Sequence, residues 1–338
     1  MPLADATQTG APAQRARAHP GAVRVVAPAR LHLGFLDLNG GLGRMFGSIG
    51  LAVDVPLTEL VLRRSRTFKG EGPDHARAVA MLHRIVDAYS LDGAYEVNVT
   101  SAIPPHAGLG SGTQLALAAG AALMALEGID YSPSRLGEIV DRGARSAIGM
   151  AAFEQGGFIV DGGRGALDRA PPILIRVEFP TAWRALLVLD AHTAGVHGEA
   201  ETKAFATLPP MPEELAAKLC RLVLMQLVPG LAEADMQAFG DALTEIQRIV
   251  GGHFAAAQGA SPWASPAVGR IVEALRRNGA YGIGQSSWGP TGFAFAPSQE
   301  IADRLYDSSI GLARAEGLEI VIAEGRNRGA SVEKLASA

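Results

Sequence analysis

Between a strand-like alternation at Tyr95–Val99 and an Ala/Leu-rich helical stretch reaching about Leu126, the chain reads Pro104-Pro105-His106-Ala107-Gly108-Leu109-Gly110-Ser111-Gly112-Thr113. The three glycines remove the Cβ atoms that would keep backbone N–H groups away from a ligand, and the helix that follows adds the positive end of its dipole. A strand-to-helix turn of this kind suits phosphate or diphosphate, although the same turn can be a tight connection with no ligand. Ser111 and Thr113 add hydroxyl donors, and Ser111 could also touch a metal ion bridging phosphate oxygens. The segment is neither a Walker loop, because no Gly-Lys-Ser/Thr ends it, nor a dinucleotide fingerprint.

The rest of the chain gives this loop a frame. A length of 338 residues exceeds one core and points to two domains. Hydrophobic residues at 48% against 19% charged supply a large buried interior. Residues 1–22 read as a tail, rich in Ala, Gln and Pro and without the apolar core of a signal peptide. Val23, Val25 and Val26 open a strand that ends at Pro28, and a Gly-rich loop follows, with strand-like runs at Ile49–Val55 and Thr58–Leu62. Val79, Leu82, Ile85 and Val86 recur at helical spacing over 75–89, and a further helix is expected at 134–145. Strands follow at 156–161, 173–179 and 185–191.

A change of texture near 180 divides an α/β unit, 23–180, from a second unit, 181–338. The second has helices near 213–228, 233–250 and 266–278, then strands at 292–296 and 318–323 around a helix at 298–316, the order of an open α+β sandwich. The expected fold class is α/β plus α+β.

Composition also removes partners. The formal net charge is -4 and no local Lys/Arg patch stands out, which argues against nucleic acid. Lone Cys220 excludes an internal disulfide framework, fits a cytoplasmic location, and reads as core packing among Leu219, Leu222 and Leu224. No apolar run approaches the roughly 20 residues of a membrane span.

The segment Pro104–Thr113 resembles the second motif of the GHMP kinase superfamily. Pro28-Ala29-Arg30-Leu31-His32-Leu33-Gly34 resembles its first motif, and Gly284-Gln285-Ser286-Ser287-Trp288-Gly289-Pro290-Thr291-Gly292 its third. The resemblance covers most of the chain and implies a GHMP-kinase-like two-domain fold, the N-terminal domain like ribosomal S5 domain 2 and the C-terminal one ferredoxin-like. One departure matters. Superfamily kinases with an aspartate base carry it shortly before a Gly-Gly turn; counting back from Gly156-Gly157 puts that position near Gly149, where Ser146 to Met150 supply no carboxylate.

The first motif, continued through Phe35, Asp37, Asn39, Gly40, Gly43, Arg44 and Ser48-Ile49-Gly50, is similar to the β-ribofuranosylaminobenzene 5'-phosphate synthase family, as is Gly108 to Gln114. That resemblance implies a homodimer and condensation of phosphoribosyl pyrophosphate with 4-aminobenzoate or 4-hydroxybenzoate. CO2 and diphosphate are lost, with Mg2+ on the leaving group, in methanopterin biosynthesis. The alternatives are an ATP-dependent small-molecule kinase and a catalytically silent phosphate-ligand-binding protein.

The catalytic candidates are Arg30, His32, Asp37 and Glu154. Arg30 offers a planar fork for a carboxylate or phosphate, or else a salt bridge. His32 shares its face of an extended segment. Asp37 could hold ribose hydroxyls or Mg2+, or close a turn with Asn39 and Gly40. Glu154, before Gly156-Gly157, is a candidate proton acceptor. The binding candidates are Pro105, His106, Gly108, Leu109, Gly110, Ser111, Gly112, Thr113 and Gln114 in the loop, Asn39, and Gln285, Ser286 and Ser287 from the second half. Ser111 is the metal candidate. Arg326 and Arg328 could reach phosphate, or be solvated.

Overall fold

Val23, Val25 and Val26 open a strand as expected, with Val23, Val25 and Ala27 buried, but it does not stop at Pro28. In the computed structural model, which describes residues 20–336 apart from 144–145, 167–168, 194, 196–204, 206 and 259–260, strand β1 runs Ala22–Asp37. The expected Gly-rich loop after Pro28 is therefore mostly strand, and the two runs at 49–55 and 58–62 belong to one strand, β2, Phe46–Ser65. Proline is tolerated because it sits at a bulge, where ladder hydrogen bonds are already interrupted: the pairing moves from Pro28 opposite Leu57 to Ala29 opposite Val53.

The bulge also divides the buried faces. Before it, Val23, Val25 and Ala27 lie in one core with Leu60 and Leu62; after it, Ala29, Leu31 and Leu33 enter another with Ile49 and Leu51. One hairpin thus serves two cores.

Around it stands a seven-stranded sheet, in the order β11-β1-β2-β4-β3 with β5 on β2 and β6 on β5. Here β3 is Lys69–Glu71, β4 Ala94–Ser101, β5 Phe158–Asp161, β6 Ile173–Val177 and β11 Ser331–Leu335. Helices α1, His75–Tyr89, and α2, Ser111–Glu127, cover the first core; α2 buries residues all around its circumference, which explains its Ala-rich sequence. Helix α3, Pro133–Ile139, is shorter than expected, and α4, Ile148–Glu154, was not expected.

A four-stranded antiparallel sheet, β10-β7-β9-β8, forms in the second half from β7 Arg184–Leu189, β8 Tyr281–Gln285, β9 Gly292–Ala296 and β10 Glu319–Glu324. Helices α5, Glu213–Leu222, and α6, Val228–Ala232, joined by a π turn at Val223–Leu227, precede α7, Met236–Phe254. Helices α8, Pro266–Arg277, and α9, Gln299–Ala315, cover the sheet's other face. The last strand, β11, leaves this half and pairs antiparallel with β1.

By length and composition the segment Glu213–Ala232 could cross a membrane, which the sequence reading did not expect. Its Ala216, Leu219, Val223, Leu227 and Leu231 lie instead in the central core shared by both halves. That core centres on Phe239, fully buried and ringed by Phe158, Phe179, Trp183 and Phe295. Cys220 is half-buried, its Sγ 3.6 Å from the Leu36 carbonyl. Truncating the central ring, Phe239→Ala, is expected to cost about 3–5 kcal/mol of stability, measured by urea denaturation.

Candidate functional site

A single hydroxyl joins the three sequence motifs. Ser286, just after β8, donates from Oγ to the Gly108 carbonyl at 2.7 Å and accepts the His32 backbone N–H at 3.0 Å. Arg30 reaches the same carbonyl through Nη1 at 2.5 Å, and its backbone N–H donates to the Leu109 carbonyl at 3.1 Å. Leu109 itself is buried in the central core and anchors the loop.

The approach is close enough to demand glycine. A Cβ on Gly108 would stand 2.2 Å from the Ser286 carbonyl oxygen, and one on Gly289 2.3 Å from the Ala107 carbonyl carbon. Gly110, at φ 81°, caps α2 without a side-chain cap, and the loop lies against the open end of that helix.

Three arginines surround the loop. A Cβ on Gly110 would meet Arg30 Cγ at 3.1 Å; one on Gly112 would lie 3.0 Å from Arg77 Nη2 and 3.2 Å from Arg142 Nη2. The sequence reading missed Arg77 and Arg142, which belong to no motif. One signal was available: Arg77 lies in the first turn of α1, the end of a helix that disfavours a cation.

His32 is buried and held neutral. Burial first, and the nearby Arg30 cation second, lower its pKa from 6.5 to about 3. Its ring lies 4.6 Å from that of Phe35. The two, with Gln247, Phe254, Gln258 and Ser287, line a small cavity of about 20 Å³, and Gln247, Pro262 and Gln285 connect its wall to a larger groove of about 540 Å³ beside Trp263.

Four buried polar atoms in the motif segments have no hydrogen-bond partner. Among the described residues these are Ser48 Oγ, Gln114 Oε1, Trp288 Nε1 and Thr291 Oγ1, all within the three motif regions. Native interiors leave few such atoms, and these fall in segments that resemblance had already picked out.

The remaining candidates divide. Pro105 and His106 are exposed on the loop, His106 with a positive φ of 60°. Gln114 is buried, and its Nε2 donates to the Gly149 carbonyl at 2.7 Å. Gln285 takes the Ala264 N–H and donates to Gln258 and to the Ser287 carbonyl, which shapes the cavity wall. Asp37 Oδ1 accepts the N–H groups of Asn39 and Gly40, while Asn39 donates to the Met211 carbonyl; both order the β1–β2 tip beyond His32. Glu154 ends α4, whereas the loop's Thr113 meets Gly149 in that helix's first turn. Arg326 bonds the Gly329 carbonyl, and the 326–328 backbone packs on Gly156, where no Cβ would fit.

Asp161 was also missed. Fully buried, it accepts from the Ser48, Ala147 and Gly163 N–H groups and from the Ser146 hydroxyl, and burial pushes its pKa up. It thereby fixes the start of α4. Gly149 there has no room for a larger side chain, since a Cβ would stand 3.0 Å from Thr113 Cγ2. Around Ser111 the donors are hydroxyls and guanidinium groups, and no cluster of three His, Cys, Asp or Glu among the described residues could hold a metal ion. These residues do not fit a resident Mg2+ site.

Two measurements follow from this geometry. Removing the bridging hydroxyl, Ser286→Ala, leaves the His32 N–H unpaired and is expected to cost about 1–3 kcal/mol in urea melts. His32 contributes to the pH dependence: the unfolded chain takes up a proton below 6.5 and the folded one only near 3, so its contribution is full above 6.5 and falls as pH drops through that window. The loss at pH 5 is about 2 kcal/mol. Comparing wild-type and His32→Gln melts between pH 7 and 5 checks this, the variant giving the flatter profile.

Comparison with known proteins agrees with this arrangement. The GHMP kinases N terminal domain family matches residues 76–157 and the GHMP kinases C terminal family residues 227–308. The GHMP-type fold recurs in homoserine kinase from Cytophaga hutchinsonii (TM-score 0.67, 19% identity, covering 95% of this chain and 100% of that one). It recurs also in L. major mevalonate kinase (TM-score 0.69, 14% identity, 90% and 96%). Beta-ribofuranosylphenol 5'-phosphate synthase of Archaeoglobus fulgidus is 33% identical over 327 residues, 92% of this chain and 99% of that protein. The enzyme of that name from Methanothermobacter thermautotrophicus is 31% identical over 332 residues, 91% and 97%. With that identity over nearly the whole length, the chain belongs to the beta-ribofuranosylphenol 5'-phosphate synthase family, known equally by its aminobenzene product, on the GHMP kinase scaffold.

Proposed function

We propose that this chain joins C1 of phosphoribosyl pyrophosphate to the carboxylate-bearing ring carbon of a para-substituted benzoate in tetrahydromethanopterin biosynthesis. The observation that carries the reading is the junction itself: Arg30 and the neutral His32 meet the glycine loop beside a cavity walled by Phe35 and Phe254. An anion cradle and an aromatic lining adjoin. The relatives are named for a phenol product, which favours 4-hydroxybenzoate over 4-aminobenzoate as the acceptor.

The bond changes suit the groups present. The C1–O bond to diphosphate breaks and takes its electron pair with it, and the loop dipoles and arginines stabilise the departing charge. The ring carbon bearing the carboxylate bonds to C1, assisted by electron donation from the para substituent. The bond from ring to carboxylate then breaks, its pair restores the aromatic ring, and CO2 leaves. No oxidant or reductant enters and no net proton is transferred.

That balance accounts for Gly149. Phosphoryl transfer to a hydroxyl must dispose of a proton, whereas ring substitution with loss of CO2 does not, so a site without a carboxylate beside Thr113 suits the condensation better than a kinase. In this reading magnesium would come with the substrate's diphosphate rather than be held by the protein, and would supply charge neutralisation.

The test incubates the protein with phosphoribosyl pyrophosphate, Mg2+ and carboxyl-labelled 4-hydroxybenzoate or 4-aminobenzoate. Labelled CO2 is expected, falling on the order of 10- to 100-fold in Arg30→Ala and Ser111→Ala. No CO2 from either acid, with ATP consumed on a hydroxylated metabolite instead, overturns the reading in favour of a kinase.

A further inference from the structure

Two cations converge on one glycine of the loop. Arg77 occupies the first turn of α1, against that helix's dipole, and Arg142, beyond α3, brings a second positive charge to the same spot. Both guanidinium groups lie against Gly112 at the N-terminus of α2, already the positive end of a buried helix.

The local geometry holds Arg77 in this position. Asp74 pairs with its Nη1 at 2.9 Å while Nη2 faces Gly112. Arg30 is separate: it lies along Gly108 and Gly110, beside the His32 cavity. The loop therefore has an inner flank at Gly108 to Gly110, next to the aromatic lining, and an outer flank at Gly112 where Arg142 is exposed to solvent.

We propose that Arg77 and Arg142 are the diphosphate-binding residues of this site, holding the leaving group over Gly112 while Arg30 serves the inner, acceptor side. This rests on the synthase reading for its chemistry. A trianionic or tetra-anionic diphosphate accepts charge-assisted hydrogen bonds from both guanidinium groups, whose N–H donors lie in a plane that matches phosphate oxygens. Asp74 acts as a positioning residue. The solvent-facing flank gives diphosphate a way out once the C1–O bond has broken, without passage through the aromatic cavity.

Calorimetric titration with inorganic pyrophosphate tests the assignment without turnover. Arg77→Gln and Arg142→Gln are each expected to weaken pyrophosphate binding at least tenfold and to raise KM for phosphoribosyl pyrophosphate comparably. KM for the aromatic acid stays within twofold and Tm remains near wild type. Asp74→Asn is expected to give a smaller loss of the same kind. Pyrophosphate binding within twofold of wild type in both arginine variants overturns the assignment, even if the wild type releases CO2. Failure of the wild type to release CO2 overturns the synthase reading instead, and the titration still decides whether these arginines bind diphosphate.

Discussion

The Ser286 hydroxyl, shared between the Gly108 carbonyl and the His32 N–H, is the contact on which the rest of the site depends. It ties a strand of the first sheet, the glycine loop and the turn after β8 at one point, so none of the three can shift without the others. Such a bond lies away from water, where an unmet N–H or carbonyl is costly, and its directionality fixes geometry that apolar packing would leave loose. The glycines at 108 and 289 are its counterpart: backbone lies against backbone there, and a methyl group on either would push the segments apart. The central core around Phe239, drawn from both halves, supplies the rigidity behind the contact.

Electrostatics around that point is polarised. Positive charge gathers at Gly110 and Gly112, while His32, within reach of Arg30, is kept uncharged by burial. Asp74 pairs with Arg77 there, while Asp161 is held beneath α4 by four donors and Asp37 lies in the hairpin tip. Such an arrangement favours an anion over a cation at the glycine loop. The glycine loop of the GHMP scaffold stands here beside a wall that carries Phe35, Phe254 and the neutral His32.

The glycine loop was legible in the sequence because its chemistry is local: spacing of glycines, a helix after them, hydroxyls at the turn. The motifs around Arg30 and Ser286 were legible by resemblance. The long strands were not. Pro28 and the glycines after it read as punctuation, yet a bulge absorbed the proline and the strand continued to Asp37. Strand β11 escaped notice because Ser331–Leu335 is an exposed edge without an apolar face. Arg77 and Arg142 come from elements whose own patterns say nothing of a ligand; only the folded chain brings them to Gly112. Asp161 looked like one more strand-end residue until its four partners were visible.

The pairing of β11 with β1 has a consequence for how the chain comes into being. β1 carries Arg30 and His32, and its outer edge is closed by residues from the opposite end of the sequence. During synthesis from the ribosome that edge stays open until the whole second half has emerged, with a row of N–H and C=O groups from Ala22 to Val26 available to any other strand. The strand that carries Arg30 and His32 is therefore sealed last, and a nascent or truncated chain lacking β11 exposes an edge suited to pairing with another copy of itself.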